Sequence, residues 1–289
     1  MAEKKEERFI EGVMNYTGSK FKLLEQLLPE FDYTKPYFVD LFTGGGSVYT
    51  NVVDKYEKII ANDIIKDLIG IHQSLLDSDS IIDETKSICQ TLKTSQEDFI
   101  VLRDSYNLNP TPSKLWALML SCNSNLIRFN QKGKFNQTWG KRSWNSNTET
   151  KVLKFIQHIR KFNDKITFSS KKFNEIIISR DTFYYMDPPY GYIKNIDGSI
   201  GDKQISEAGY NNFYYKNDDI NLYNFCHKIN KLNSSFMISG VIEHGGKKTW
   251  ILDKLISDGF NHKELNFNYE KINKSGSKKE TKEIIIFNY

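Results

Sequence analysis

A carboxylate, two prolines and a tyrosine follow one another in the stretch TFYYMDPPY, at residues 182–190. The apolar run before them predicts a buried β-strand, and neither proline can donate a hydrogen bond to a neighbouring strand. At the carboxyl end of a strand in an open α/β sheet, side chains face the ligand crevice. Asp187 and the carbonyl of Pro188 then offer two hydrogen-bond acceptors, and Tyr190 offers a flat ring. This set suits an amino group on a planar heterocycle.

An exocyclic aromatic amine is a poor nucleophile because its lone pair is delocalised into the ring. Two acceptors that hold its two hydrogens favour a tetrahedral nitrogen, which can attack a sulfonium methyl group in line. Positioning and electrostatics supply the rate, so no covalent enzyme intermediate is needed. A base inside a duplex cannot reach such a crevice and must be flipped out. The candidate catalytic residues are therefore Asp187, Pro188, Pro189 and Tyr190, the alternative being a simple strand-ending Pro-Pro turn.

A second apolar strand, FVDLF, runs into three consecutive glycines, Gly44 to Gly46. Such a loop after the first strand of an open α/β sheet lets a ligand approach the backbone closely. Asp63 closes the next strand, where a ribose-binding carboxylate falls in nucleotide-binding folds. The dinucleotide pattern G-x-G-x-x-G fails because Tyr49 occupies its last position. An adenosine-like ligand without a pyrophosphate fits, and S-adenosylmethionine is the candidate, the alternative being an ordinary glycine-rich turn.

Short β-rich runs alternate with helical patterns along the chain, which predicts an α/β sheet covered on both faces. The predicted strands are 37–42, 58–63, 165–170, 182–187, 234–240, 264–269 and 283–289. The last two are expected to form an antiparallel pair at the sheet edge. Helices are predicted at 19–28 and 216–231, and within the stretches DLIGIHQSLL and SKLWALMLSCNSNLI. Residues 65–164 break the alternation, which indicates an inserted domain.

Composition excludes few classes of protein. The chain has 289 residues, a net charge of +4 and an isoelectric point near 8.6, which allows an anionic partner without requiring one. No apolar run approaches the ~20 residues that span a bilayer, and the first residues lack a signal-peptide core, so a cytoplasmic protein is expected. The three cysteines are far apart and no H-x-x-x-H spacing occurs, so neither a disulfide nor a metal site is expected.

The motifs FTGGGSV, AND and DPPY, in this order with a large insert between them, resemble the Dam-type adenine-specific DNA methyltransferases, and phage-borne members in particular. NYTGSK at 15–20 resembles the family's N-terminal cofactor motif, and 124–142 resembles its DNA-reading hairpin. The resemblance implies a Rossmann-like, seven-stranded methyltransferase sheet with an inserted, mostly helical target-recognition domain that carries a β-hairpin. The cofactor-binding catalytic domain would then comprise 1–64 and 165–289, and the insert 65–164.

The same resemblance assigns roles to matching positions. It implies that S-adenosylmethionine is contacted by Tyr16, Lys20, Phe42, Gly44, Asp63 and Asp187. It implies that DNA is contacted by Asn123, Ser124, Leu126, Arg128, Asn130, Lys134, Thr138, Lys141 and Arg142. Arg128 lies where the family reads a guanine, and an arginine fork against O6 and N7 of guanine is the commonest specific major-groove contact. A phosphate contact or a solvated charge is the alternative for Arg128.

The expected activity is methylation of the N6 amine of a flipped adenine in duplex DNA, within GATC. Thr138 and Trp139 stand where relatives often have Pro-Phe, which weakens the GATC assignment. Another adenine-containing site, cytosine N4, adenine in RNA or a catalytically idle DNA-binding regulator remain alternatives, and a cognate restriction endonuclease is a possible partner. The loop at 191–212 could close over the flipped base or be a disordered insert.

Overall fold

The computed structural model describes residues 8–16, 18–92, 95–205, 213–266 and 280–289. Ten strands lie in these ranges: β1 Tyr37–Asp40, β2 Lys58–Asn62, β3 Ile166–Ser169, β4 Thr182–Met186, β5 Tyr192–Lys194, β6 Ile200–Gln204, β7 Ser235–His244, β8 Lys247–Lys248, β9 Asn261–Leu265 and β10 Thr281–Phe287. Each of the seven predicted strands has a counterpart among them. The predicted strand at 264–269 is displaced, because β9 begins at Asn261 and residues 267–269 lie outside the described ranges.

The central sheet has the order β3-β2-β1-β4-β7-β10-β9. The first five strands are parallel, and β10 runs antiparallel to both β7 and β9, so the predicted antiparallel edge pair is confirmed. The two-residue β8 joins β7 as an eighth strand, which the sequence pattern did not reveal. β1 pairs with β2 on one side and with β4 on the other. The strand order reverses there, and a ligand crevice is expected at the carboxyl ends of these strands.

Eight α-helices complete the described fold: α1 Leu24–Leu27, α2 Lys66–Asp77, α3 Ser80–Thr91, α4 Gln96–Leu108, α5 Pro112–Ser121, α6 Ser146–Ile159, α7 Lys216–Lys231 and α8 Trp250–Ser257. The helix predicted at 216–231 is confirmed as α7. The helix predicted at 19–28 is broken into a 3-10 turn, α1 and a second 3-10 turn. Helix α5 ends six residues before the predicted Ile127, because the backbone of Cys122 is extended and Ser124 and Asn125 then adopt left-handed angles.

Two apolar clusters cover the two faces of the sheet. Along β4, Phe183 and Tyr185 belong to one cluster, and Tyr184 and Met186 belong to the other. Successive side chains of a strand point to opposite faces, so a strand buried on both faces reads as an unbroken apolar run. Helices α2–α6 lie between β2 and β3 in the chain, and most of their buried apolar residues belong to the first cluster. The domain division at 64 and 165 stays a prediction.

A membrane span, a metal site and a disulfide each place requirements on the described residues. No helix among the described residues is long and apolar enough to cross a membrane. Within the same ranges, no three His, Cys, Asp or Glu side chains are placed to hold a metal ion. Cys89, Cys122 and Cys226 are buried and free.

Candidate active site

A deep cleft opens at the carboxyl ends of β1, β2 and β4, where the strand order reverses. Segments that are far apart in the sequence meet there, because parallel strands end at the same edge of the sheet. The cleft is lined by all the residues predicted to bind the cofactor or to take part in catalysis: Tyr16, Lys20, Phe42, Gly44, Asp63, Asp187, Pro188, Pro189 and Tyr190. The structure therefore brings these nine residues together. The roles assigned to them stay predictions.

The glycine loop after β1 is held by side chains from three other segments. The N–H of Gly44 donates to Oδ2 of Asp63 at 3.1 Å. A side chain at Gly44, where φ is +50°, would place a Cβ 3.0 Å from the ring of Tyr16. At Gly46, where φ is +85°, a Cβ would lie 2.7 Å from the ring of His72. Glycine is therefore required by backbone conformation and by close packing at both positions.

His72 is a structural residue of this loop that the sequence analysis missed. Its Nε2 lies 2.9 Å from the carbonyl oxygen of Gly44, and its Nδ1 lies 3.0 Å from the hydroxyl of Tyr49. A carbonyl only accepts, so Nε2 carries the proton and Nδ1 accepts from Tyr49. Burial lowers the pKa of His72 to about 4, which keeps the imidazole neutral in this tautomer. The only sequence signal was a histidine within the apolar pattern of α2.

Asp63 follows β2 and links the second strand to the glycine loop. Its Oδ1 accepts from the N–H of Ile65 at 3.0 Å, while Oδ2 accepts from Gly44. Burial raises the pKa of Asp63 to about 6, and the backbone hydrogen bonds oppose that rise. The carboxylate is thus fixed in position at the base of the cleft.

Asp187, directly after β4, forms an ion pair with Lys20. Nζ of Lys20 lies 2.7 Å from Oδ1 of Asp187, and the two side chains are 9% and 21% exposed. Nζ also donates to the carbonyl oxygen of Gly18 at 3.2 Å. Burial alone would lower the pKa of Lys20, but the carboxylates of Asp187 and Glu283 outweigh burial and raise that pKa. Lys20 is therefore a permanent cation beside Asp187.

Ser239 of β7 makes a second contact with the same oxygen of Asp187. Its hydroxyl donates to Oδ1 at 3.3 Å and lies 2.8 Å from the hydroxyl of Tyr185. Because Ser239 has one hydrogen to donate, Tyr185 must donate to Ser239. Both polar contacts of Asp187 among the described residues thus fall on Oδ1. Ser239 had no signal in the sequence, because β7 meets β4 only through the sheet pairing.

Asp40, the last residue of β1, was also missed. It is 1% exposed, lines the cleft, and its Oδ1 has no hydrogen-bond partner within the described part of the chain. Burial, and after it the charge of Asp187, raise the pKa of Asp40 to about 8. A carboxyl group in the otherwise apolar run YFVDLF was the available sequence signal.

Three aromatic side chains that line the cleft form a wall beside the glycine loop. The ring of Phe42 lies 5.6 Å from that of Phe173 and 6.5 Å from that of Tyr214, measured between centroids. Phe173 follows β3, and Tyr214 precedes α7. Phe173 and Tyr214 carried no assignment from the sequence. Aromatic rings beside fixed carboxylates can hold a planar, hydrogen-bonding ligand.

The chain after Tyr190 forms a two-stranded antiparallel hairpin, β5–β6. The N–H of Tyr192 donates to Oδ2 of Asp219 at 2.7 Å, and the hydroxyl of Tyr214 donates to Oδ1 at 2.7 Å. Asp219, in α7, thereby joins this hairpin to the aromatic wall. The interpretation of 191–212 as a disordered insert is wrong for residues 191–205, and residues 206–212 lie outside the described ranges. Its proposed closure over a base stays untested.

The segment 122–142, named here the reading hairpin, lies beside the cleft. Its backbone is joined by two isolated bridges, Cys122 with Trp139 and Phe129 with Phe135, and by a bond of 2.8 Å from the N–H of Asn130 to the carbonyl oxygen of Lys134. The expected β-hairpin is therefore present without a continuous ladder. Left-handed residues at 124, 125 and 141 interrupt regular pairing.

The nine residues predicted to contact DNA all lie on the reading hairpin, and none of them lines the cleft. Two of them, Leu126 and Asn130, are half-buried. The other seven are exposed: Asn123, Ser124, Arg128, Lys134, Thr138, Lys141 and Arg142. Nε of Arg128 donates to Oδ1 of Asn136 at 3.0 Å. The structure thus separates this set of residues from the cleft set.

Asn107, near the end of α4, joins the reading hairpin to that helix. Its side-chain amide donates to the carbonyl oxygen of Phe135 at 3.0 Å and accepts from the N–H of Phe135 at 2.7 Å. A side chain that pairs with both backbone groups of one residue replaces a neighbouring strand. This contact joins positions 28 residues apart, and no motif in the sequence indicates it.

The chain matches the family described as D12 class N6 adenine-specific DNA methyltransferases over residues 16–271. It is 31% identical to modification methylase StsI of Streptococcus sanguinis, over 98% of this chain and 43% of that protein. It is 26% identical to the type II methyltransferase M.MjaIII of Methanocaldococcus jannaschii, over 97% of this chain and 99% of that protein. It is 25% identical to a DNA adenine methylase of Serratia marcescens, over 61% of this chain and 66% of that protein.

The chain spans less than half the length of the first three curated relatives, at 43% of each. Among solved structures, it resembles the rRNA methyltransferase AviRa of Streptomyces viridochromogenes over 93% of this chain, with a TM-score of 0.38 and 8% identity. A similarity this weak supports no argument about activity.

Proposed function

This chain belongs to the D12 class N6 adenine-specific DNA methyltransferase family, and we propose from that premise that it methylates the N6 amine of a flipped adenine in duplex DNA. The methyl donor in this proposal is S-adenosylmethionine. The observation that carries the proposal is the position of Asp187, Pro188 and Tyr190 in one cleft with Gly44 and Asp63.

The residues of the cleft fit S-adenosylmethionine. Asp63 offers a fixed carboxylate for ribose hydroxyls, and the rings of Phe42 and Phe173 can enclose a purine. The unpartnered Oδ1 of Asp40 is an acceptor that a ligand hydroxyl or amine can satisfy. The carboxyl side chains that line the cleft outnumber its lysines, which suits a positively charged sulfonium. When bound, the cofactor would supply an electrophilic methyl group.

Asp187 and Pro188 are the proposed acceptors for the adenine amine. Lys20 and Ser239 both contact Oδ1 of Asp187, which leaves Oδ2 for one hydrogen of the amine. The carbonyl oxygen of Pro188 would accept the other hydrogen. With both hydrogens held, the nitrogen lone pair is directed at the methyl group instead of being delocalised into the ring. Tyr190 would pack against the face of the base.

Lys20 is the proposed group that keeps Asp187 ionised. Burial raises the pKa of Asp187, and the neighbouring ammonium of Lys20 opposes that rise. An ionised carboxylate accepts a stronger hydrogen bond than a neutral carboxyl group, and its charge stabilises the positive charge that develops on the attacking nitrogen. Lys20 would therefore act by positioning and charge and would not transfer a proton.

The reading hairpin is the proposed DNA-contacting element of a target-recognition region at 65–164. Arg128 would read guanine in the major groove, and Lys134, Lys141 and Arg142 would contact phosphates. We place the target adenine within GATC. A cognate restriction endonuclease is a further proposed partner, because relatives carry the name of modification methylases.

Transfer of a labelled methyl group tests the proposal. Two duplexes that differ only in a GATC site would be incubated with the protein and labelled S-adenosylmethionine, then digested to nucleosides. We expect label on N6 of adenine in the GATC duplex alone, and none with Asp187→Ala. Label on adenine in both duplexes would overturn the GATC assignment, and label on cytosine would overturn the adenine assignment. No label on either duplex would overturn the GATC assignment, and no label on DNA that contains all short sequence contexts would overturn the activity.

A further inference from the structure

Three successive residues of the reading hairpin, 127–129, alternate between the cleft and the exposed surface. Ile127 and Phe129 are 3% and 8% exposed and line the cleft, whereas Arg128 between them is exposed. This is the period-2 alternation of an extended chain, in which neighbouring side chains point to opposite sides. The segment therefore presents one charged residue outward and two apolar residues to the cleft that contains Asp187.

The ring of Phe129 is held between two other rings. It lies 5.2 Å from the ring of Phe213, with an interplanar angle of 74°, and 5.8 Å from that of Phe135, at 87°. Phe213 also lines the cleft, and it precedes α7 in the chain. Phe135 does not line the cleft and is only 1% exposed. Phe129 and Phe213 thus form a second aromatic wall, and Phe135 supports it from behind.

The second wall is separate from the first. Phe42, Phe173 and Tyr214 pack with the apolar cluster on one face of the sheet. Phe129 and Phe213 pack with the cluster on the other face, which also contains apolar residues of helices α2–α6. The proposed cofactor contacts use the first wall and leave the second without a ligand. A second planar ligand in the same cleft would need such a surface.

We propose that Phe129, with Phe213, forms the wall that holds the flipped adenine beside Asp187 and Tyr190. The inference rests on the proposed function and identifies a base-binding residue for it. Arg128 and Phe129 are adjacent in the chain. Arg128, which would read the target, is exposed, and Phe129, which would hold the base, faces the cleft. One short segment would therefore carry both functions. Asn136 fixes this segment, since its N–H donates to the carbonyl oxygen of Arg128 at 3.0 Å.

Phe129→Leu tests the wall, with Phe135→Leu as the matched control. Both changes remove one buried ring from the same hairpin, but only Phe129 lines the cleft. The measurements are the duplex dissociation constant and the single-turnover rate of methyl transfer at saturating S-adenosylmethionine and duplex. Stacking of a base on an aromatic side chain is worth a factor of roughly 5 to 150. We expect Phe129→Leu to slow transfer by about 10-fold or more with duplex affinity nearly unchanged.

A duplex with an abasic site opposite the target adenine separates base capture from a structural defect. Extrusion of an unpaired base costs less, so a weakened wall should matter less on this duplex. We expect the deficit of Phe129→Leu to shrink to about threefold or less. Phe135→Leu removes a ring that supports the wall without lining the cleft, so it should slow transfer less than Phe129→Leu does on the base-paired duplex. Phe213→Leu, which removes the other ring of the wall, should behave as Phe129→Leu does.

Equal losses in Phe129→Leu and Phe135→Leu, without recovery on the abasic duplex, would overturn the inference in favour of a structural role. A wild-type rate in Phe129→Leu would also overturn it. If Phe129→Leu does not fold, Phe213→Leu decides between the same outcomes. Normal methylation by the wild type in these experiments would leave the proposed function standing, whereas an inactive wild type would overturn both.

Discussion

The cleft and the reading hairpin differ in how their polar groups are held. In the cleft, Asp63, Asp187 and Lys20 are largely buried, and each makes at least one short hydrogen bond or ion pair. On the reading hairpin, Lys134 and Arg142 are exposed, and the backbone is joined by isolated bridges and single hydrogen bonds instead of a continuous ladder. The charged groups of the cleft are already held by other residues of the chain before any ligand arrives. The reading hairpin has charged groups that DNA would have to order.

This difference matches two physical requirements. Catalytic electrostatics are effective when charges are fixed in advance in a water-poor site, because no reorganisation is needed during reaction. Contacts to DNA are made by long side chains to a charged, hydrated surface, and much of their free energy comes from counterion release. Substitutions in the cleft should therefore lower the rate of methyl transfer. Substitutions in the reading hairpin should change the target sequence or the affinity for DNA.

Lys20→Met is expected to have the largest effect. It leaves the Asp187 carboxyl group buried without its cation, so the free energy of unfolding should fall by about 3 kcal/mol. The rate of methyl transfer at pH 7 should fall by about 100-fold or more. Without the ammonium, the pKa of Asp187 should rise further, so part of the lost rate should return as pH rises from 7 to 9. Single-turnover rates across this range would measure it.

Lys22→Met is the control for that change. Lys22 belongs to the same 3-10 turn as Lys20, but its side chain is exposed. Its replacement should leave rate, stability and pH profile unchanged. Equal effects of the two substitutions, or a pH profile of Lys20→Met parallel to that of the wild type, would contradict the role given to the ion pair.

Asn107→Ala should affect the other region. It removes both hydrogen bonds to the backbone of Phe135 and leaves those groups unpaired, so the reading hairpin should lose its fixed position. Duplex affinity should weaken by about 10-fold, while binding of S-adenosylmethionine should stay unchanged. Fluorescence anisotropy with a labelled duplex and calorimetry with the cofactor would measure the two affinities. Asn109→Ala, at an exposed position two residues on, serves as the control.

The two regions would not be separable if Asn107→Ala weakened the binding of cofactor and duplex together. An effect of Asn109→Ala as large as that of Asn107→Ala would point to the end of α4 and not to the contact with Phe135.

Asp40→Asn is expected to have the smallest effect, and to increase stability. The pKa of Asp40 in the folded protein, about 8, lies above its ordinary value of 3.8, so the folded state binds the proton more tightly. The free energy of unfolding therefore falls as pH rises from about 4 to about 8. Asparagine cannot ionise, so the variant should be more stable at pH 8, by at least about 1 kcal/mol or roughly 2 °C in Tm.

Thermal unfolding of both proteins at several pH values would measure this effect of Asp40. Asp63 and Asp187 also have raised pKa values, so they also change the Tm of the wild type with pH. The effect of Asp40 is therefore taken from the difference in Tm between the wild type and Asp40→Asn at each pH. A variant whose Tm stays below that of the wild type at pH 8 would contradict burial of an uncompensated carboxyl group.

The cleft could be predicted from the sequence because strand ends leave local signals. Asp187 and Asp63 each follow a short apolar run, and the glycines after β1 mark a close approach of the backbone. Parallel pairing then brings these positions to one edge without any long-range information. The fold class and its antiparallel edge pair followed from the same run lengths, and both are confirmed.

The supporting contacts could not be predicted, because they depend on packing between distant segments. His72 holds the glycine loop from α2, and Asp219 holds the chain after Tyr190 from α7. Asn107 holds the reading hairpin from α4. None of these residues lies in a motif, and each makes contacts that only the tertiary fold creates. The length of α5 was overestimated because the extended backbone of Cys122 and the left-handed angles at 124 and 125 follow from the hairpin and not from local composition.

The most direct test of the division between chemistry and target choice is a map of methylated adenines. DNA containing all short sequence contexts would be treated with the wild type and with Arg128→Ala, and the sites of N6-methyladenine read by sequencing. We predict that the variant still methylates adenine but accepts a changed base at one position of the target, with discrimination lower by roughly 5- to 150-fold. An unchanged target, or equal loss of methylation at every site, would contradict the account.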